Sequence, residues 1–280
     1  MRVAANHFNG TEKASQMVFR TVDELTGQLF NVIVADFDRT FRAYLVGTDV
    51  IRTEGYFRVQ TGAAHPIANL AILRDPDDAE MLSEAVEPLC SDEFPSSVAL
   101  LGPVGIEVDQ LLVSRGFQLV EEMPAMAVDL ADLQLTLPGD DFRIRRVGAD
   151  EHELWVDTMA EGYELPRGFV ERIGPSVVDS IVEEGEEYRY FIAFHRDLAV
   201  ATAVNIIRDG VVSVYNIATV PGFRGQGVGG FVTGEPLRIA GTEGYRIAIL
   251  QASQMGSPVY RRLGFQSYGE IPLYVRMPAS

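Results

Sequence analysis

From Glu187 onward the chain alternates between apolar runs and short polar breaks at intervals that predict a sheet. EYRYFIAFH reads as a strand, Arg196-Asp197 as a turn, and AVATAVNII as a second strand. Asp209-Gly210 is a two-residue hairpin signal, which makes VVSVYNIATV a third, antiparallel strand. The pattern then changes to a helix through GGFVTGEPLRIAG, a strand YRIAILQA, a short helix near Pro258 to Arg262 and a final β segment from Phe265 to Arg276. Upstream, Phe142 to Val147 predicts a strand, and HELWVDTMAEG a helix with Asp150 as its N-cap. A second helical stretch covers Gly168 to Glu184. The order β-α-α-β-β-β-loop-α-β-α-β belongs to the α/β class.

This pattern has an echo. NLAIL at Asn69 recurs as NIATV at Asn216, and EPL at Glu87 as EPL at Glu235. SVALL at Ser97 is matched by YRIAI at Tyr245, and RGFQLVEEMP at Arg115 by LGFQSYGEIP at Leu263. Four matches in order at a nearly constant offset predict a duplicated unit. The segment ADLQLTLPGDD, with Pro138-Gly139, is the expected linker. It separates residues 1–135 from residues 141–280, and the two units are expected to pack as one pseudo-symmetric body.

Composition narrows the setting. A hydrophobic fraction of 47% with 22% charged residues suits a globular chain with a proper core. No apolar run approaches the roughly 18 residues that span a membrane, and MRVAANHFNG has no apolar signal region. Cys90 is the single cysteine, expected as a buried thiol, which fits a reducing, cytoplasmic setting. Four histidines and one cysteine without ligand spacing predict no metal. The net charge of −17 argues against nucleic acid, whose phosphates need clustered Lys and Arg. Residues 1–140 hold 9 basic and 22 acidic side chains, residues 141–280 hold 14 and 18, so an anionic ligand belongs in the second unit.

The candidate chemistry sits in VPGFRGQGVGG, where five glycines lie between a strand and a helix. Such a turn lets backbone N–H groups approach an anion at the positive end of a helix dipole. A Walker A loop is excluded because Val220 to Gly230 holds no lysine. The spacing of Gly225, Gly227 and Gly230 reproduces a dinucleotide fingerprint, but the preceding strand belongs to a hairpin and no acidic residue ends the next strand. Arg224-Gly-Gln-Gly227-Val-Gly229 instead resembles the Q/R-x-x-G-x-G/A loop of the GCN5-related N-acetyltransferases. VYNIATVPGFRGQGVGG and QASQMGSPVYRRLGF are similar to two successive motifs of that family, and the resemblance covers Phe142 to the C-terminus.

The resemblance implies two tandem domains, each a mixed, mostly antiparallel twisted sheet flanked by helices. It implies that Arg224, Gly225, Gln226, Gly227, Val228, Gly229 and Gly230 hold the diphosphate of acetyl-CoA or another acyl-CoA. Asn216, Ile217, Ala218, Thr219 and Val220 would offer backbone N–H groups to the thioester and pantetheine, where their strand splays from its neighbour. Ser253 stands where the family often has an asparagine. Tyr260, four residues before Gly264, matches the usual general acid, and a phenol of pKa about 10 can protonate a thiolate. Many members of the family carry a glutamate on the strand before the loop, where this chain offers only Ser213, Tyr215 and Asn216. Glu161 and Glu164, in AEGYELP, are candidates for a base or for attracting the acceptor, as are His152 and His195. The base stays open.

In the first unit the segment after NLAIL is RDPDDAEMLSEAV, so Asp75, Asp77, Asp78 and Glu80 stand where phosphates would lie, and Leu112 stands in place of Tyr260. This predicts a degenerate domain without the loop. The expected activity is acetyl transfer to a primary amine of a small molecule by direct attack, in a monomer or homodimer. A non-catalytic CoA- or ligand-binding module, another acyl group and another nucleophile remain as alternatives.

Overall fold

The computed structural model describes residues 21–278 apart from 26, 45–48, 92 and 176–185. The first half contributes α1 (Leu29–Tyr44), β1 (Asp49–Arg52), β2 (Tyr56–Gln60), β3 (Asn69–Leu73), α2 (Ala79–Val86), β4 (Ser96–Leu100), α3 (Ile106–Ser114) and β5 (Gln118–Asp129). The second contributes β6 (Phe142–Arg146), α4 (His152–Tyr163), the one-turn α5 (Arg167–Val170), β7 (Glu187–His195), β8 (Leu198–Arg208) and β9 (Val211–Thr219). It ends with α6 (Val228–Thr242), β10 (Ile247–Gln251), α7 (Ser257–Arg262) and β11 (Gln266–Arg276). Among the described residues no helix is long and apolar enough to cross a membrane.

Among the described residues eleven strands form one sheet in the order β1-β2-β3-β4-β11-β5-β10-β9-β8-β7-β6. Among the described strands only β3/β4 and β9/β10 run parallel. The sheet does not stop where the halves meet. β5 pairs with β10 along Asp129 to Ala125 and with β11 along Ala127 to Gln118. β11 in turn pairs on its other edge with β4, Leu273 opposite Ala99. Each half therefore sends its last strand between the strands of the other. Three of the four repeat matches fall on β3 and β9, β4 and β10, and β5 and β11, which occupy mirrored places in the sheet.

Local chemistry explains the joints. Asp209 and Gly210 both take left-handed angles, φ +49° and +77°, as a two-residue hairpin demands, and Arg208 faces Val211 across it. Arg196 takes φ +55° in the turn between β7 and β8. α1 buries Leu29, Ile33, Phe37 and Tyr44, a stripe of helical period laid on the sheet. On α4, Trp155 is fully buried, edge-on to Tyr190 at 5.0 Å between ring centres.

Three expectations need correction. Asp150 is no N-cap: a 3₁₀ turn over Ala149–Glu151 precedes α4, and Glu151 reaches back to accept the Gly148 N–H at 3.1 Å. The second helical stretch is interrupted: α5 gives way to a 3₁₀ turn at Glu171–Ile173 and a bend at Gly174, helix resumes at Pro175, and positions 176–184 lie outside the described residues. The expected linker from Ala131 to Asp141 packs against the second half. Gln134 N–H donates to the Leu263 carbonyl at 3.0 Å, and Leu135 packs so close to Gly234 that a Cβ there would lie 2.7 Å away. Cys90 is partly exposed, and burial raises its thiol pKa.

A buried polar group ties α1 to the second half. The Arg208 guanidinium, 5% exposed, donates to Asp36 at 3.0 Å, to Thr40 at 2.6 Å, to Glu186 at 2.7 Å and to the Tyr188 hydroxyl. The Tyr215 hydroxyl donates to the other oxygen of Asp36 at 2.7 Å. Arg39, also from α1, pairs with Glu186 at 2.8 Å.

Candidate active site

The site begins with a defect in β9. Thr202 faces Ala218 and Val204 faces Tyr215, so Ala203 is opposed by two residues, Asn216 and Ile217. This bulge puts Asn216 at φ +53°, a conformation asparagine tolerates better than most residues. The Thr202 hydroxyl donates to the Asn216 carbonyl at 3.0 Å and holds the bulge. On the other edge, β9 pairs with β10 only at Val212 and Ser213. Beyond that point the parallel strands part. Val220 N–H donates to Val200, so strand alternation turns the Thr219 N–H toward the opening. The Asn216 Nδ2 is buried without a partner.

The loop follows directly. Gly225 and Gly227 hold φ +76° and +83°, where a side chain is strained. Gly227 is the N-cap of α6, and the Phe231 N–H donates to its carbonyl at 3.0 Å. The N–H groups of Val228, Gly229 and Gly230 precede that bond and have no partner one turn back. Gln226 braces the loop through the Gly222 carbonyl at 3.0 Å. Arg224 turns backward: it donates to the carbonyls of Thr219 at 3.2 Å and Gly162 at 2.8 Å, and lies 3.7 Å from Glu164. It thus ties the loop to the end of α4. Val220 and Val228 are buried anchors of the loop, 5% and 1% exposed.

At the end of β10, the Ser253 hydroxyl accepts the Gly256 N–H at 3.1 Å and shapes the turn into α7. One turn on, Tyr260 is 8% exposed and meets Phe265 edge-on at 6.1 Å. Burial pushes its hydroxyl well above the ordinary phenol range, and the nearby Tyr163 adds to the shift. The group stays protonated throughout the neutral range.

A cavity of about 910 Å³ joins these parts. It runs from the loop glycines along Asn216 to Thr219, past Ser253 and Tyr260, to Phe37, Phe41 and Tyr44 of α1 and to His65 and Ile67. Gly162 forms part of its wall because a Cβ there would stand 2.8 Å from the Ala218 Cβ, so only glycine lets α4 approach β9 this closely.

No protein-family model matches the chain, and no curated protein matches it in sequence. Solved structures do match. A GCN5-related N-acetyltransferase from Kribbella flavida superposes with a TM-score of 0.62 at 19% identity, over 90% of this chain and 96% of that one. The chain has the fold of the GCN5-related N-acetyltransferases. A GCN5-related N-acetyltransferase from Sphaerobacter thermophilus matches with a TM-score of 0.56 at 16% identity, over 75% of this chain and 73% of that one. A tandem GNAT protein from the clavulanic acid biosynthesis pathway matches with 0.52 at 11%, over 94% and 98%.

Within this GCN5-related fold the residues singled out from the sequence divide into three groups. Asn216, Ile217, Ala218, Thr219, Arg224, Gly225, Gln226, Gly227, Gly229, Gly230, Ser253 and Tyr260 all line the one cavity. Val220 and Val228 lie behind it, in the core. Glu161 and Glu164 are exposed and do not line it; Glu164 faces Arg224 instead. His195 also lies elsewhere, packed on Phe142 and Phe223.

Several lining residues carried no readable signal. Gln134, Thr136, Leu137 and Pro138 come from the segment between the halves. Phe37, Phe41, Tyr44, His65 and Ile67 come from the first half, and only the tertiary fold brings them to the site. Arg262, beside Tyr260 in sequence, also lines the cavity and was within reach of the motif. At the position equivalent to the loop in the first half, Asp78 caps α2 by accepting the Met81 N–H at 3.0 Å, and Leu112, which stands in place of Tyr260, is fully buried.

Proposed function

We propose that the protein is an acyl-CoA-dependent N-acyltransferase that moves an acetyl group from acetyl-CoA to a primary amine of a small molecule. The observation that carries this reading is the continuity of one cavity from the glycine loop, through the split between β9 and β10, to the Tyr260 hydroxyl. The N–H groups at the start of α6 suit a diphosphate. Arg262, which makes no ion pair among the described residues, adds a positive charge at the same end. The Thr219 N–H suits the pantetheine arm, and the split edge of β9 the thioester carbonyl, where donors stabilise the developing oxyanion.

In this reading the amine nitrogen attacks the carbonyl carbon directly. The C–N bond forms, the C–S bond breaks, and sulfur keeps the electron pair. The thiolate takes its proton from Tyr260, and the proton shed by nitrogen restores the phenol. Residues 141–280 would carry the catalytic machinery, and residues 1–135 would form a degenerate unit that walls the acceptor end.

The test is a calorimetric titration with acetyl-CoA, together with release of free thiol in the presence of amines. One site per chain is expected, abolished in Gly227→Glu while the thermal melt stays cooperative. Absence of binding to the wild-type protein overturns the reading. Binding without thiol release from any amine supports a non-catalytic CoA-binding module, the reading favoured by the commitment of the Ser253 hydroxyl to Gly256.

A further inference from the structure

The acceptor end of the cavity has its own chemistry. Phe37, Phe41, Ile67, Phe169 and Ile173 face it, supplied by α1, the segment before β3, α5 and the turn after α5. The chain carries 40 Asp and Glu, yet among the described residues lining the cavity there is no carboxylate. Its charged lining groups are Arg224 and Arg262, at the loop end. An ammonium buried against such walls loses its hydration and gains no counter-ion.

Polar side chains interrupt the apolar wall, His65 among them. His65 Nδ1 accepts the Ile67 N–H at 3.3 Å, which leaves the proton of the neutral ring on Nε2. Its ring lies nearly parallel to Phe169, 28° between planes and 6.4 Å between centres. In that tautomer His65 donates a hydrogen bond and cannot take a proton at Nε2. Burial lowers its pKa, which favours the neutral ring. Tyr44 lines the cavity with its ring, while its hydroxyl is buried away from the open space among Tyr188, Tyr190 and Tyr215. The Nε2–H of His65 therefore suits a ligand that brings an acceptor atom.

We propose that the acceptor is an amine uncharged at neutral pH on an aromatic or branched apolar body, carrying a hydrogen-bond acceptor that takes the free donor of His65. This rests on the acetyltransferase reading above and names its substrate class. Such a nitrogen presents its lone pair without first losing a proton, so the attack needs no carboxylate base in the cavity. The balance is unchanged: nitrogen forms the bond to the acetyl carbon and gives up one proton, and CoA leaves as the thiol.

The experiment compares kcat/KM for acetyl transfer to para-methoxyaniline, a neutral arylamine with an ether oxygen, and to cadaverine, an aliphatic dication. Each is also titrated calorimetrically into CoA-saturated protein. We expect para-methoxyaniline to be favoured by about tenfold or more in both readouts. Ile67→Asp, at a partly exposed wall position, should reduce or reverse that preference, while Ile67→Asn retains it. Preference for cadaverine overturns the inference and leaves the acetyltransferase reading standing. If acetyl-CoA binds but para-methoxyaniline neither binds nor reacts, the inference falls alone. If acetyl-CoA itself does not bind, the acetyltransferase reading falls and takes this one with it.

Discussion

At the scale of single residues, the site works through groups that are held rather than free. Tyr260 is fixed by Phe265 on one side and by the turn at Gly256 on the other, where a Cβ would come within 2.8 Å of its ring. Tyr260→Phe keeps that packing and removes only the hydroxyl. It should lower kcat by about tenfold or more, in the range of general acid catalysis, with the calorimetric affinity for acetyl-CoA unchanged. Equal turnover in the variant would remove Tyr260 from the mechanism. The position of this tyrosine was legible in sequence because a short motif fixes it relative to Gly264. Arg224 shows the opposite case. Its place in the loop is visible in the sequence, but the direction of its side chain, backward onto Gly162, depends on how α4 packs.

At the scale of elements, β9 carries the geometry of the site, and its order depends on a helix from the other half. Tyr215 precedes the bulge at Asn216, and its hydroxyl is fastened to Asp36 of α1. Arg208 sits between Asp36 and Glu186, both carboxylates with their side chains under a tenth exposed. Arg208→Leu leaves two buried acids without that partner, and losing one member of a buried ionic group costs about 3–5 kcal/mol. We expect loss of this size in the urea unfolding free energy, with a smaller loss for Asp36→Asn, which retains a polar group beside Arg208. The strands and hairpins of the second half were readable because alternation and Asp-Gly turns are local. The contacts of α1 were not, since nothing in its own sixteen residues names Arg208 or Tyr215 as neighbours.

At the scale of the molecule, the two halves share one sheet through exchanged strands. A fragment of residues 1–135 would lack β11, which separates β4 from β5, and a fragment of residues 141–280 would lack β5, which separates β10 from β11. Each would expose long unpaired edges, which favour aggregation. Neither fragment should give a cooperative thermal transition alone, whereas the whole chain should unfold in one transition by fluorescence and by circular dichroism alike. A folded, cooperative fragment, or two separated transitions, would show that the halves are independent. The internal repeat at a constant offset made the duplication readable, but not this exchange. Strand order across the join rests on pairings between distant segments, and those leave no periodic trace in β5 or β11.

The same exchange bears on how the protein is made. Synthesis runs from the N-terminus, so β5 leaves the ribosome long before β10 and β11, the strands that flank it on either side. During that interval a strand of twelve residues, apolar over Met123 to Val128, waits with both edges open. The nascent chain is then most exposed to mispairing and to capture by chaperones, and slowing elongation between β5 and β10 would lengthen that period of risk.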